Sequence, residues 1–110
     1  MKSFWEEIPV GGTSMNVYSS VPEGEKPLPA VIIAHPASGV AEFTQSIADR
    51  LANAGYIAIA MDLFHRVTDD MISDGTAKNA FLDDVEILSD VDSAVAWAAS
   101  LDSINSDRIG

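Results

Sequence analysis

Residues 30–62 read AVIIAHPASGVAEFTQSIADRLANAGYIAIAMD, and the reading of this stretch decides the fold. Ala30-Val31-Ile32-Ile33-Ala34 is a continuous apolar run, the pattern of a strand buried on both faces in a parallel sheet, and it ends at His35-Pro36. From Glu42 onward Phe43, Ile47, Leu51 and Ala54 recur at intervals of four and three, which predicts one apolar helical face. Gly55 then stands where a left-handed residue closes a helix. Tyr56-Ile57-Ala58-Ile59-Ala60-Met61 repeats the buried-strand pattern, so the stretch is a strand, a helix and a strand, a crossover expected to be right-handed.

Upstream, residues 3–9 and 13–21 read as two short strands, with Gly11-Gly12 between them to supply a tight hairpin turn. The proline-, glycine- and charge-rich stretch 22–29 is a surface connection. Downstream, residues 62–76 hold Asp62, His65, Arg66, Asp69, Asp70, Asp74 and Gly75 with little periodicity, and read as an excursion or functional loop. From Lys78 to Leu101 the apolar positions Phe81, Val85, Leu88, Val91, Val95, Ala98 and Leu101 predict one long helix, or two broken near Ser89. The acids Asp83, Asp84, Glu86, Asp90 and Asp92 lie mostly off that stripe and read as a wet face. Asp107-Arg108-Ile109-Gly110 is a turn entering a further strand. The expected fold class is α/β: an antiparallel N-terminal hairpin joined to a parallel βαβ unit, in three layers, with helices over 41–54 and 78–101 and one domain over 1–110.

With 17 acidic against 6 basic residues the formal net charge is −11, which repels phosphate backbones and anionic lipid heads; neither nucleic acid nor a membrane surface is an expected partner. An apolar fraction of 47% fits a globular chain with a core. The chain has no cysteine, so disulfides, thiolate metal sites and a thiol nucleophile within these residues are excluded. The N-terminus has no basic region followed by a long apolar run, so no signal peptide is expected and a cytoplasmic location is the default. No glycine-rich phosphate loop follows the strand at 30–34, and no cofactor is expected. Asp69, Asp70 and Asp74 before Gly75 break the alternation of a calcium loop, so no metal site is expected either.

The run from Val31 to Val40, the helix after it, and the run from Leu51 to Arg66 with Gly55-Tyr56 and Asp62-Leu63-Phe64 resemble dienelactone hydrolases. The helix 85–101 followed by Asp107-Arg108-Ile109-Gly110 is similar to the stretch that leads into that family's nucleophile strand. The resemblance implies a partial α/β-hydrolase fold and an ester or lactone hydrolase whose Cys or Ser nucleophile, Asp and His have no matching positions here. The nucleophile elbow is expected a few residues beyond Gly110, making the chain an N-terminal half that is inactive alone. What carries over is the first loop, where the backbone N–H of Ala37 matches the oxyanion-hole donor. The glutamate that the family often carries in this loop is matched by Pro36, which departs from the usual resting-state arrangement.

His35, Pro36, Ser38, Phe64 and Arg66 are the expected substrate-pocket residues, because ligands of open α/β sheets bind at the carboxyl ends of the strands. His35 reads equally well as a structural histidine bonded to backbone. Ser38 lacks the preceding glycine of a Gly-x-Ser-x-Gly elbow and is not expected to be a nucleophile. Arg66 and His65 are placed to reach a substrate carboxylate or to form an exposed loop pair, and Asp62 is expected to hold its own loop. With the next strand absent, the strand at 30–34 is expected to be a bare apolar edge that pairs with a second copy in a homodimer. A non-catalytic self-associating domain is therefore the alternative reading. A receiver-like phosphoacceptor role for Asp62 lacks the acidic pair and lysine it requires.

Overall fold

The computed structural model describes all 110 residues. Strands β1 (Lys2–Val10) and β2 (Thr13–Val21) form the expected antiparallel hairpin, closed by Gly11 at a φ of 58° that few other residues adopt without strain. Strand β3 (Leu28–Ala34), helix α1 (Glu42–Asn53) and strand β4 (Ile57–Met61) form the βαβ unit, with β3 and β4 parallel in the register Ala30↔Ile57 to Ala34↔Met61. Helix α2 (Asp84–Ala99) leads to strand β5 (Ile104–Ile109), and the sheet order is β1-β2-β4-β3-β5. No helix is long and apolar enough to cross a membrane.

β4 lies at the centre of this sheet and all five of its residues are buried. Its side chains alternate between two cores of different character. Ile57, Ile59 and Met61 join Ile8, Val10, Met15 and Val17 on the side covered by Ala94 and Ala98 of α2. Ala58 and Ala60 face the other way, with Tyr18 and Ala48 of α1. Each large apolar side chain on the α2 side contributes roughly 1.5–3 kcal/mol by leaving water. The alanine side instead lets α1 lie close to the sheet.

Three expectations need correction. The strand at 30–34 is not a bare edge: β5 pairs parallel with β3, and Ile32 N–H and the carbonyl of Gly110 continue the ladder at 2.8 Å. Pairing of two copies through 30–34 thus loses its free backbone below Ile33, because Ile104–Ile109 is extended and occupies that position. The inward face of α1 is Thr44, Ala48 and Ala52, whereas Phe43 is 64% exposed. The inward face of α2 is Asp90, Ala94 and Ala98, with Val85 at 75% and Leu88 at 63% exposed. In both helices the small residues face the sheet and the large apolar ones flank or leave it. Finally, the helical stretch is interrupted at Leu82–Asp83 and not near Ser89: a 3-10 turn spans Lys78–Phe81, and Asp83 caps α2 by accepting from the N–H of Glu86 at 3.1 Å.

Candidate functional site at the carboxyl ends of the parallel strands

β3 and β4 each run into a loop at the same end of the sheet, and the two loops are tied together. Nε2 of His35 accepts a hydrogen bond from the Leu63 N–H at 2.9 Å. The proton of that ring therefore sits on Nδ1, which donates to the carbonyl of Pro36 at 2.7 Å. Both nitrogens are used, which is the structural role for His35 and leaves it nothing to offer a substrate. Its ring also lies against Phe64, with centroids 4.5 Å apart. Gly39 has a φ of 77°, which requires glycine, and a Cβ there would only just touch the Phe64 ring, at 3.4 Å. The hydroxyl of Thr44 donates to the Gly39 carbonyl at 3.1 Å, and Gln45 Nε2 donates to the Val40 carbonyl at 3.0 Å, anchoring the loop on the first turn of α1. Within the chain the N–H of Ala37 makes no hydrogen bond.

The second loop is held from both ends. Asp62 accepts from the Phe64 N–H at 3.0 Å, as expected for a residue that holds its own loop, while its own N–H donates to the Asn16 carbonyl of β2 at 2.9 Å. Arg66 donates through both terminal nitrogens to the carboxylate of Asp90 at 3.0 and 2.8 Å, and its Nε lies 3.1 Å from Glu86. The hydrogen bonds to Asp90, with the nearby charges of Asp90 and Glu86, outweigh burial and raise the guanidinium above its usual pKa. His65 Nε2 also meets Asp90, at 3.0 Å. Since that partner is a carboxylate already receiving Arg66, Nε2 carries the proton, and Nδ1 is left buried without a partner. Both terminal nitrogens of Arg66 are turned to Asp90, its Nε faces Glu86, and it does not line the cavity between the loops and the hairpin, so the sequence-based assignment of Arg66 to a substrate carboxylate is not what the geometry supports.

Between the loops and the hairpin lies a cavity of about 610 Å³. Of the expected pocket residues, Ser38 and Phe64 line it, beside the expected oxyanion-hole residue Ala37, while His35, Pro36 and Arg66 do not. Ser38 is exposed and no imidazole lies within hydrogen-bond distance of its hydroxyl, so no nucleophile–base pair is assembled there. The sequence reading missed three groups of residues. Trp5, Glu7, Ser14 and Asn16 of the hairpin form one wall, which strand periodicity alone does not reveal. Lys78 brings the cavity's one lysine or arginine, its ammonium 6.0 Å from the centre of the Phe64 ring. Asp90 is 1% exposed and organises the second loop, though it reads as part of a solvated acidic run. The available signal was its spacing of four and eight from Ala94 and Ala98, the row that faces the sheet.

The dienelactone hydrolase family model matches residues 15–110. The Escherichia coli protein named "Putative carboxymethylenebutenolidase" is 35% identical over 101 residues, a span of 84% of this chain and 36% of that protein. The Bradyrhizobium protein named "Probable 2-oxo-3-(5-oxofuran-2-ylidene)propanoate lactonase" is 29% identical over 109 residues, covering 96% of this chain and 44% of that one. Among solved structures, the "Putative Dienelactone Hydrolase" of Klebsiella pneumoniae subsp. pneumoniae superposes with a TM-score of 0.83 at 27% identity, over 98% of this chain and 47% of that one. The chain therefore spans less than half the length of each of these relatives.

Proposed function

The chain belongs to the dienelactone hydrolase family, and on that premise we propose that it supplies the oxyanion loop and pocket walls of an ester or lactone hydrolase. The nucleophile, the orienting carboxylate and the base are contributed by residues other than these 110. In the reaction the nucleophile adds to the acyl carbon and the carbonyl oxygen takes the negative charge. The Ala37 N–H then donates to that oxygen until the carbonyl reforms and the alkoxide leaves. The single observation that supports this reading is the position of Ala37: at the rim of the cavity beyond β3, on a loop fixed by His35, Gly39 and Thr44, with its N–H unbonded.

Two measurements test it. The 110-residue chain gives no turnover of p-nitrophenyl acetate above buffer, and turnover that survives both Ser38→Ala and His35→Ala refutes the proposal that the machinery lies elsewhere. In a chain extended through the downstream reading frame, Ala37→Pro removes the N–H and lowers kcat on the order of 10²-fold with KM little changed. An unchanged kcat in that variant removes Ala37 from the oxyanion hole.

A further inference from the structure

On the α2 side of the sheet, the inward positions of β2 are Met15, Val17, Ser19 and Val21. Ser19 interrupts that apolar series. It is 3% exposed, and its hydroxyl has no hydrogen-bond partner. Across the sheet it stands in one row between Phe4 of β1 and Ile59 of β4. A serine between two large side chains leaves a notch, and Trp97 and Leu101 at the end of α2 roof it. The result is a cavity of about 190 Å³. It shares no residue with the cavity at the carboxyl ends of β3 and β4.

A buried hydroxyl without a partner costs about 1–3 kcal/mol, and an ordinary core would replace it with valine. Places where a chain keeps such a conflict are the places to look for a ligand. The lining specifies which kind. Phe4, Ile59, Trp97 and Leu101 are apolar and two of them aromatic; the one charged residue is Glu6, and no cation is present. An anion is thus excluded. The volume suits one ring, given that a dry apolar cavity of about 150 Å³ accepts benzene. The Ser19 hydroxyl has no partner inside the protein, so a ligand in the cavity that Ser19 lines can satisfy it with a single polar group.

We propose that this cavity is a second ligand site, specific for a small neutral molecule of one aromatic ring and one hydroxyl, a phenol. The proposal is independent of the hydrolase reading. Titration of the 110-residue chain with phenol, followed by amide and indole NMR, is expected to shift Ser19, Phe4 and Trp97 saturably. The Kd is on the order of 1 mM, ordinary for so few atoms. Ser19→Val fills the notch, abolishes those shifts and raises the urea midpoint. Ser19→Ala keeps the space and weakens binding about 5-fold, the loss of one hydrogen bond. Benzoate produces no saturable shift at these residues. The proposal is overturned if phenol gives no saturable shift there, if Ser19→Val leaves the shifts unchanged, if they fall instead on residues 37–41, or if benzoate binds as well as phenol.

Discussion

Asp90 is the side chain on which the second loop depends. It is 1% exposed and takes two hydrogen bonds from Arg66 and one from His65, itself 4% exposed. Replacing it by alanine leaves two basic groups facing each other over an empty acceptor. Asp90→Ala is expected to cost about 2–4 kcal/mol, below the full value for a buried pair because the Arg66 side chain is 29% exposed. Asp90→Asn should cost less, since it keeps the shape and one acceptor; urea denaturation compares the two. A second carboxylate does similar work on the other face. Asp49 of α1 receives the hydroxyls of Ser20 at 2.6 Å, Ser3 at 2.8 Å and Tyr18 at 3.1 Å on one oxygen, which fastens the hairpin to the helix. Burial pushes its pKa up, but the bonds from Ser20, Ser3 and Tyr18 together prevail and hold it below the usual carboxylate range. A depressed folded-state pKa gives stability that is present above the unfolded value near 3.9 and is lost as pH falls through the folded one. The gap in urea midpoint between the parent and Asp49→Asn should therefore be full at pH 7 and close in acid below about pH 4. A gap that does not change with pH sinks this assignment. Asp49 could not be singled out from the sequence, because its partners lie 29 to 46 residues away and it looks locally like any other surface acid, whereas Asp90 was marked only by its spacing from Ala94 and Ala98.

At the scale of elements, the hairpin, the two parallel strands and both helices were legible, since alternation, apolar runs and turn residues all act locally. The faces of the helices were not. Reading Phe43, Ile47 and Leu51 as the buried stripe assumes that the largest apolar residues face the sheet. α1 instead lies close on Ala58 and Ala60 of β4, an approach at which only the small Thr44, Ala48 and Ala52 fit the inward position. The two readings differ in consequence. Ala48→Leu should overpack the interface between α1 and the sheet and cost about 1–3 kcal/mol or more. Phe43→Ala, at a residue 64% exposed, should change stability by less than about 0.5 kcal/mol. Thermal or urea unfolding of the pair decides between them, and a larger loss from Phe43→Ala would restore the periodic reading. The site shows the same division. The loops after β3 and β4 were found because strand ends are marked by His35-Pro36 and Asp62. Their cross-ties through His35 Nε2 and Asp90, and the wall built from the hairpin, depend on which strands become neighbours.

For the molecule as a whole, sheet order governs which contacts are secure. β1 and β2 are joined by a two-residue turn and pair along their whole length, and β4 is enclosed by neighbours on both sides. β5 is differently placed. It returns to β3 after some seventy residues of chain, has no strand outside it, and follows β3 through a bulge in which two steps along β3, 28 to 30, match five along β5, 104 to 109. Its pairing with β3 has two registered residue pairs, Leu28↔Ile104 and Ala30↔Ile109, flanked by hydrogen bonds from Leu28 N–H to the Ser103 carbonyl, Gly110 N–H to the Ala30 carbonyl and Ile32 N–H to the Gly110 carbonyl. Elements attached in this way open at a small fraction of the global unfolding free energy. In native-state hydrogen exchange, amides of β5 should become labelled first and those of β4 last, with β5 opening while the hairpin and α1 remain protected. Such an order would set β1 to β4 with α1 apart as a slowly exchanging body, with β5 beyond the bulge opening as a separate cooperative unit.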